Sequence, residues 1–294
     1  MLDHHNAKPV PPARVVVLGA GGFIGGAVAR KLEAARSAVL TLGRRELDLL
    51  ADGASERLAA LLTSDDALVV ISARAPCKTP AMMLDNIRMM AAVCVALAKR
   101  SVAHLVYISS DAVYADGQLP LTEASPAAPT SLHGAMHLAR EQMLLAAAGA
   151  TPLALLRPTL VYGAGDPHNG YGPNKFRRQA NRGEAIVLFG EGEERRDHID
   201  VEDIAEIVRL VLLHRSSGVL NVATGAVASF RALADKAVAL SPRKVEIKGS
   251  PRVGPMPHNG YRPFDPAATQ KAFPGFHYTP LDVGLARAQR QEFG

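Results

Sequence analysis

Short apolar runs alternate with segments of helical spacing through the first three-quarters of the chain. The runs predict strands at residues 15–18, 38–43, 67–73, 104–110, 152–157 and 219–223. Apolar positions three and four residues apart predict helices at residues 27–32, 80–100 and 131–148. Because the strands are apolar on both faces and alternate with helices, the pattern predicts an α/β fold with a doubly wound parallel sheet.

A glycine-rich turn joins the first predicted strand to the first helix. Its glycines have the spacing G-x-x-G-x-x-G, at Gly19, Gly22 and Gly25. The first N–H groups of a helix lack internal partners, and glycine lets an anion approach the backbone closely. Strand, turn and helix therefore predict a diphosphate site at Gly19, Gly22, Phe23, Ile24 and Gly25. A flexible turn that binds no ligand is the alternative.

The chain changes in character after residue 163. A loop rich in glycine and proline follows at residues 165–174, and prolines recur after Phe230. We expect a dinucleotide-binding domain at residues 1–163, to which residues 199–225 return. A smaller C-terminal substrate-binding lobe would comprise residues 164–198 and 226–294. Residues 1–13 are expected to form an untethered lead-in.

The end of the second predicted strand bears on the choice of cofactor. Arg44 and Arg45 follow Gly43, with no carboxylate at the tip. An arginine there can pair with a 2′-phosphate, so the sequence slightly favours NADP over NAD. A solvated arginine pair is the alternative. Asp48 is a candidate for the adenine edge, and Ala73 ends a strand beside the glycine turn.

Composition and charge limit the classes of partner. The 294 residues carry a formal net charge of +5, which suits an anionic ligand, but no basic stripe indicates nucleic-acid binding. Cys77 and Cys94 fit no metal or disulfide motif, so we expect a reducing, cytoplasmic location. No uninterrupted apolar run approaches about 18 residues, so no membrane span is expected.

Four stretches in the right order carry a family resemblance, at residues 19–25, 107–114, 156–163 and 189–204. With them the chain resembles the extended short-chain dehydrogenases/reductases, in particular the NAD-dependent epimerases/dehydratases that act on nucleotide sugars. The resemblance implies a Rossmann domain, NAD or NADP as cofactor and a nucleotide-diphosphate sugar as substrate. It also implies a homodimer formed through the helices at residues 80–100 and 131–148.

The resemblance implies roles for particular residues. Ser110 matches the residue that hydrogen-bonds the reacting sugar oxygen, and Asp111 matches an aspartate of dehydratase-like members. Positions matching substrate-binding residues are Asn169, Asn174, Arg196 and Arg262. The two arginines would hold the diphosphate.

The chain departs from the family at its central catalytic motif. Where the family has Tyr-x-x-x-Lys, this chain has His133 and His137, and Glu141 follows on the same helix face. His133 could replace the tyrosine as acid/base, since imidazole titrates near neutrality, while His137 binds the ribose. Alternatively, the constellation is catalytically silent. A metal site is the least favoured hypothesis, because Gly134 stands where a metalloprotease helix carries glutamate.

Two functions from different classes follow. The leading hypothesis is an NAD(P)-dependent enzyme that epimerises a nucleotide sugar or reduces a keto-sugar, with Ser110, Asp111, His133 and His137 as catalytic residues. The alternative is a silent NAD(P)-binding sensor or scaffold. The absence of both tyrosine and lysine is its main support.

Overall fold

The computed structural model describes residues 1–117 and 119–294. The described residues form thirteen strands: β1 (Leu2–His4), β2 (Arg14–Leu18), β3 (Val39–Leu42), β4 (Asp66–Val70), β5 (His104–Ile108), β6 (Leu153–Pro158), β7 (Leu160–Tyr162), β8 (Ile186–Phe189), β9 (Arg195–Asp200), β10 (Ser216–Val222), β11 (Val227–Ser229), β12 (Ile247–Ser250) and β13 (Tyr261–Arg262). They also form nine α-helices: α1 (Phe23–Ala34), α2 (Ala54–Leu61), α3 (Pro80–Lys99), α4 (Leu132–Ala148), α5 (Pro173–Arg182), α6 (Val201–Leu213), α7 (Phe230–Leu240), α8 (Ala267–Ala272) and α9 (Leu281–Phe293).

A seven-stranded sheet with the order β1-β10-β6-β5-β4-β2-β3 forms the centre of the molecule. All its neighbouring strands pair in parallel except β1 and β10. Leu18 lies opposite both Leu42 and Val70, so β2, β3 and β4 end at one edge. The predicted doubly wound parallel sheet is therefore confirmed.

Helices cover the sheet on both faces. α1 and α6 pack on one face, where Val28, Leu32, Ile204 and Val208 are buried with residues of the strands. α2, α3 and α4 contribute to the core on the other face. This two-sided burial explains why β4, β5 and β6 are buried at every position.

Helix α3 is long and apolar enough to cross a membrane, judged by length and composition alone. It is 20 residues long, and an 18-residue window within it has a mean hydropathy of 1.6, although only 28% of that window is buried. Its mean hydropathy stays high because only isolated polar residues, such as Asp85 and Arg88, interrupt the apolar run. Here α3 packs against the sheet through Met90, Val93 and Ala96. The core helix of a soluble protein can have the same length and hydropathy.

The first residues are not the untethered lead-in that the sequence predicted. β1 pairs antiparallel with β10, with Leu2 opposite Gly218 and His4 opposite Ser216. His4 Nδ1 also lies 2.7 Å from Ser216 Oγ, and the Val10 amide donates to Leu213 O. A three-residue strand with one buried position carries too little periodicity to be recognised without its partner.

The second half of the chain builds a smaller lobe. β7, β11 and β13 each pair with β9, and β8 pairs with β12. A separate core contains Tyr162, Phe176, Leu188 and Phe230. Ala268 and Phe273 instead pack in the core of the main sheet. The division between a domain at residues 1–163 with 199–225 and a lobe at 164–198 with 226–294 stays a prediction.

Candidate active site

The glycine turn forms an anion cradle at the end of β2. Gly19 has a φ of +102°, and a Cβ there would lie 2.5 Å from the amide nitrogen of Ser72. A Cβ on Gly25 would lie 2.1 Å from Gly19 O, so the turn closes only with glycine at both positions. Gly22 caps α1 without a side-chain hydrogen bond, and the first turn carries no acidic residue. The amides of Phe23, Ile24 and Gly25 therefore fit a bound diphosphate.

At the end of β3, the structure corrects the assumption that no carboxylate stands at the tip. The Gly43 amide donates to Glu46 Oε2 at 2.9 Å, which folds this carboxylate back onto the strand end. Arg44 is exposed and donates to Asp48 Oδ2 at 3.2 Å, while Asp48 Oδ1 accepts from the Leu50 amide. Sequence reasoning missed Glu46, which lies three residues beyond the tip. The end of β3 thus carries both a carboxylate and two arginines.

Ser110 and Asp111 lie beyond the end of β5, where a short 3₁₀ turn spans Asp111–Val113. Ser110 Oγ accepts from the Ala112 amide at 3.1 Å and lies 3.4 Å from Asp111 Oδ1. The first turn of α4 presses against this segment, since a Cβ on Gly134 would lie 1.9 Å from Ala112 O. Glycine at 134 therefore permits the contact that places α4 beside Ser110.

His133 and His137 lie together on the first turns of α4. Their ring centroids are 4.7 Å apart and the ring planes are perpendicular. Burial lowers the pKa of His133 below its ordinary value; the Asp111 carboxylate opposes this shift, whereas His168 adds to it. Burial also holds the pKa of His137 well below its ordinary value, with His133 and Arg140 adding to the shift. Both imidazoles are therefore neutral at pH 7.

A backbone contact determines which nitrogen of His133 carries its hydrogen. The Cys77 amide, in the loop after β4, donates to His133 Nδ1 at 3.3 Å. An amide can only donate, so Nδ1 accepts and neutral His133 holds its hydrogen on Nε2. His133 therefore presents a hydrogen-bond donor at Nε2. The predicted cofactor contact Ala73 belongs to the same loop and is half-buried.

The two arginines expected to bind diphosphate have different surroundings. Arg196 Nη1 lies 3.2 Å from Glu194 Oε1, and its Nη2 lies 3.9 Å from Asp111 Oδ2. Arg262 is buried and donates to Asp116 Oδ1 at 2.7 Å and to Asp111 O at 3.0 Å. Arg262 thus holds the 111–116 segment in this structure, while its Nε has no hydrogen-bond partner among the described residues.

The predicted substrate-loop asparagines separate in the structure. Asn169 is exposed with a φ of +47°, and its Oδ1 accepts from Arg178 at 3.4 Å. Asn174 is buried, where its Oδ1 accepts from the Gly163 amide and its Nδ2 donates to Asp166. Asn174 therefore fixes the loop after β7, while Asn169 stays accessible.

A buried polar network that the sequence did not reveal supports the site from behind. Glu141 and Arg157 form two hydrogen bonds, of 2.9 and 2.6 Å, and Ser109 Oγ donates to the same carboxylate at 2.6 Å. Arg157 also donates to Tyr114 Oη, which in turn donates to Asn221. Glu141 thus binds β6 to α4. Across residues 1–117 and 119–294, no group of three or more His, Cys, Asp or Glu side chains could hold a metal ion.

Comparisons with known proteins point to one family. The NAD dependent epimerase/dehydratase family matches residues 15–223. The chain is 31% identical over 274 residues to dTDP-6-deoxy-L-talose 4-dehydrogenase (NAD(P)(+)) of Kitasatospora kifunensis, covering 83% of this chain and 84% of that protein.

Solved structures share the fold at lower identity. UDP-glucose 4-epimerase of Thermotoga maritima with UDP-glucose superposes with a TM-score of 0.83 at 22% identity, over 94% of this chain and 97% of the other. A GDP-L-fucose synthetase of Naegleria fowleri bound to NADP superposes with a TM-score of 0.84 at 16% identity, over 97% of this chain and 95% of the other.

Proposed function

This chain belongs to the NAD dependent epimerase/dehydratase family, and we propose on that basis that it is an enzyme acting on a nucleotide-diphosphate sugar. The reaction is hydride transfer at a sugar carbon, and the dinucleotide supplies or accepts the hydride. Gly19, Gly22 and the first amides of α1 hold the diphosphate of the dinucleotide. We assign Ala73 and His137 to its nicotinamide-ribose end.

Of the two hydride chemistries open to the site, we favour reduction of a keto-sugar. The observation that carries this choice is the hydrogen bond from the Cys77 amide to His133 Nδ1. Neutral His133 then has a hydrogen on Nε2 to donate to a carbonyl oxygen, but no free nitrogen there to take a proton from a hydroxyl. Donation from His133 and Ser110 stabilises the negative charge that develops on the oxygen as hydride reaches the carbon. Protonation from solvent completes the hydroxyl.

Substrate recognition uses the face of the lobe that turns toward Ser110. Arg196 is the favoured diphosphate ligand, because its guanidinium is partly exposed and only loosely paired with Asp111. Asn169 is a second contact from the loop after β7. We assign Asn174 a supporting role, because its side chain is already bonded to Gly163 and Asp166. Arg262 is a second candidate diphosphate ligand that also holds the 111–116 segment through Asp116 and Asp111 O.

The function is tested by adding a nucleotide sugar to the protein already saturated with NAD or NADP. A ligand present at 100 times its Kd stabilises the folded protein by about 2.7 kcal/mol, which raises its Tm. We expect this added rise with a dTDP- or UDP-sugar, and oxidation of reduced cofactor when the sugar is a ketone. If the nucleotide sugar adds no stabilisation, the silent sensor or scaffold becomes the better hypothesis. The loss of the family's tyrosine and lysine favours that second candidate.

Cofactor preference is set, we propose, by opposition between Glu46 and the arginine pair, with NADP slightly favoured. Replacing Arg44 and Arg45 together with alanine is expected to weaken NADP binding about tenfold more than NAD binding, because a 2′-phosphate loses its counter-charge. Glu46→Gln is expected to act in the opposite direction, because it removes a repulsive carboxylate. Kd values for both dinucleotides decide between these effects. Equal losses for NAD and NADP in the double-alanine variant would contradict the assignment.

We propose a homodimer formed through α3 and α4. These two helices pack together and leave Leu84, Val95, Leu132 and Leu145 exposed. Large apolar side chains exposed on two adjacent helices are compatible with a protein–protein interface. Sedimentation velocity tests this, and a single-chain mass at micromolar concentration is the contrary outcome.

Two free cysteines agree with the proposed cytoplasmic location.

A further inference from the structure

We infer that Tyr107 sets the tautomer of His137, so that His137 keeps its hydrogen on Nε2 and offers it to the ribose of the bound dinucleotide. Tyr107 is in this sense a positioning residue, since it acts through His137. The ribose contact rests on the proposed function. The tautomer itself rests only on contacts within the chain.

The first step is the contact between the two side chains. Tyr107 lies on the central strand β5 and is fully buried. Its Oη lies 2.8 Å from His137 Nδ1, and within the described residues no other side chain or backbone group hydrogen-bonds this hydroxyl. Burial raises the pKa of Tyr107 to about 12, so the phenol keeps its proton. His137 Nδ1 is the one hydrogen-bond partner of this buried hydroxyl among the described residues. The hydroxyl therefore donates its hydrogen to Nδ1, because otherwise that hydrogen would be buried without an acceptor.

The second step is the charge state of His137. Its side chain is buried, and the Arg140 guanidinium lies over the ring of Tyr107, with Cζ 5.2 Å from the ring centroid. Arg140 is fully buried and donates to Ser72 O at 2.6 Å. Among the described residues no carboxylate lies within ion-pairing distance of Arg140, so its charge is not neutralised locally. A fixed positive charge and burial both disfavour a second proton on His137.

The third step concerns the remaining nitrogen. With Nδ1 accepting from Tyr107 and the ring neutral, the hydrogen of His137 lies on Nε2. In the described part of the chain Nε2 makes no hydrogen bond, yet it is not one of the fully covered polar atoms that lack a partner. It is therefore not fully covered, and it lies on the ring that contacts His133.

These contacts divide between two residues what a lysine supplies as one group. A lysine ammonium brings a positive charge and hydrogen-bond donors together. Here the fixed charge belongs to Arg140, which is anchored at the end of β4 through Ser72 O. The donor belongs to His137, and Tyr107 aligns it. The replacement of lysine by histidine is therefore compatible with holding the ribose.

The test is the tautomer of His137 in the full-length protein without cofactor, measured by two-dimensional NMR on histidine labelled with ¹⁵N. The His137 signals are assigned from the spectrum of His137→Gln. We expect wild type to have a protonated Nε2 and an unprotonated, hydrogen-bonded Nδ1. In Tyr107→Phe the ring and its contact with Arg140 remain, but the donor is lost, so we expect a mixture of tautomers.

Tyr114→Phe is the matched control. Tyr114 is also a buried tyrosine beneath a guanidinium, with Arg157 Cζ 4.9 Å from its ring centroid, but its hydroxyl donates to Asn221. This variant is expected to leave the His137 tautomer unchanged. A protonated Nδ1 in wild type overturns the inference even if Tyr107→Phe does not fold. An unchanged tautomer in a folded Tyr107→Phe overturns it as well.

A second measurement separates the tautomer from the ribose contact. In Tyr107→Phe we expect the Kd for NAD(P) to rise by up to about tenfold, the effect of misaligning one hydrogen bond. His137→Gln keeps an N–H near Nε2 and is expected to bind more tightly than His137→Asn. An unchanged Kd in Tyr107→Phe together with a changed tautomer would refute the ribose contact but leave the tautomer assignment standing. None of these measurements requires turnover, so they do not depend on the identity of the sugar.

Discussion

Replacing His133 with phenylalanine is expected to lower kcat by about 10²–10³-fold, because one donor to the developing negative charge is lost, while the Kd for the dinucleotide stays within about twofold. Phenylalanine preserves a planar ring against His137 but removes the Nε2 donor. The Cys77 amide, in the loop after β4, then loses its acceptor. Steady-state rates with a keto-sugar, together with dinucleotide titrations, measure the two effects separately.

The control for this variant is His277→Phe. His277 is exposed in the C-terminal segment and belongs to no site described above. It is expected to leave both quantities unchanged. If His133→Phe keeps wild-type kcat, His133 has no part in the chemistry, and Ser110, Asp111 and His137 remain as candidates.

Gly134→Ala is expected to destabilise the protein by about 3 kcal/mol and to lower turnover. A glycine-to-alanine change inside a helix normally stabilises it by up to about 1 kcal/mol. Here the added Cβ would lie 1.9 Å from Ala112 O and 2.7 Å from Pro129 Cβ. Because Ala112 O is a backbone atom and cannot rotate aside as a side chain can, α4 has to move away from the turn that carries Ser110. Denaturant unfolding measures the loss of stability, and kcat measures the displacement of His133.

Gly26→Ala in α1 provides the matched comparison for stability. Its Cβ would meet only the flexible end of Arg30 at 3.3 Å and Ala20 O at 3.5 Å. We expect no loss, or a small gain, in its free energy of unfolding. Equal stability of the two variants would mean that α4 and the Ser110 turn are less tightly packed than described.

Local patterns were sufficient to predict the parts of the site that depend on consecutive residues. We recognised the strand at 15–18 because burial on two faces requires a continuous apolar run. We recognised the turn and the helix that follows because close backbone packing requires glycine at Gly19 and Gly25. The His133 and His137 pair was also placed on one helix face from its spacing. The ring contact between them agrees with that prediction.

Features that depend on distant partners were not predictable in this way. The hydrogen bond of Tyr107 with His137 joins residues 30 positions apart, and the ion pair of Glu141 with Arg157 crosses from a helix to a strand. The contacts of Arg262 with Asp116 and Asp111 were likewise not predictable, because they join residues 146 and 151 positions apart. Glu46 was overlooked because its carboxylate returns to the tip of β3 only through the turn that follows.

The antiparallel pairing of β1 has a practical meaning for handling the protein. Its three residues cover the outer edge of β10, where Ser216, Ser217 and Gly218 would otherwise leave their hydrogen-bonding groups open. An uncovered edge strand is a template for pairing between molecules and so for aggregation. Recombinant forms that lack Leu2–His4 would therefore have a greater tendency to precipitate, even though the catalytic cleft lies elsewhere. Purification tags placed after α9 avoid disturbing this strand.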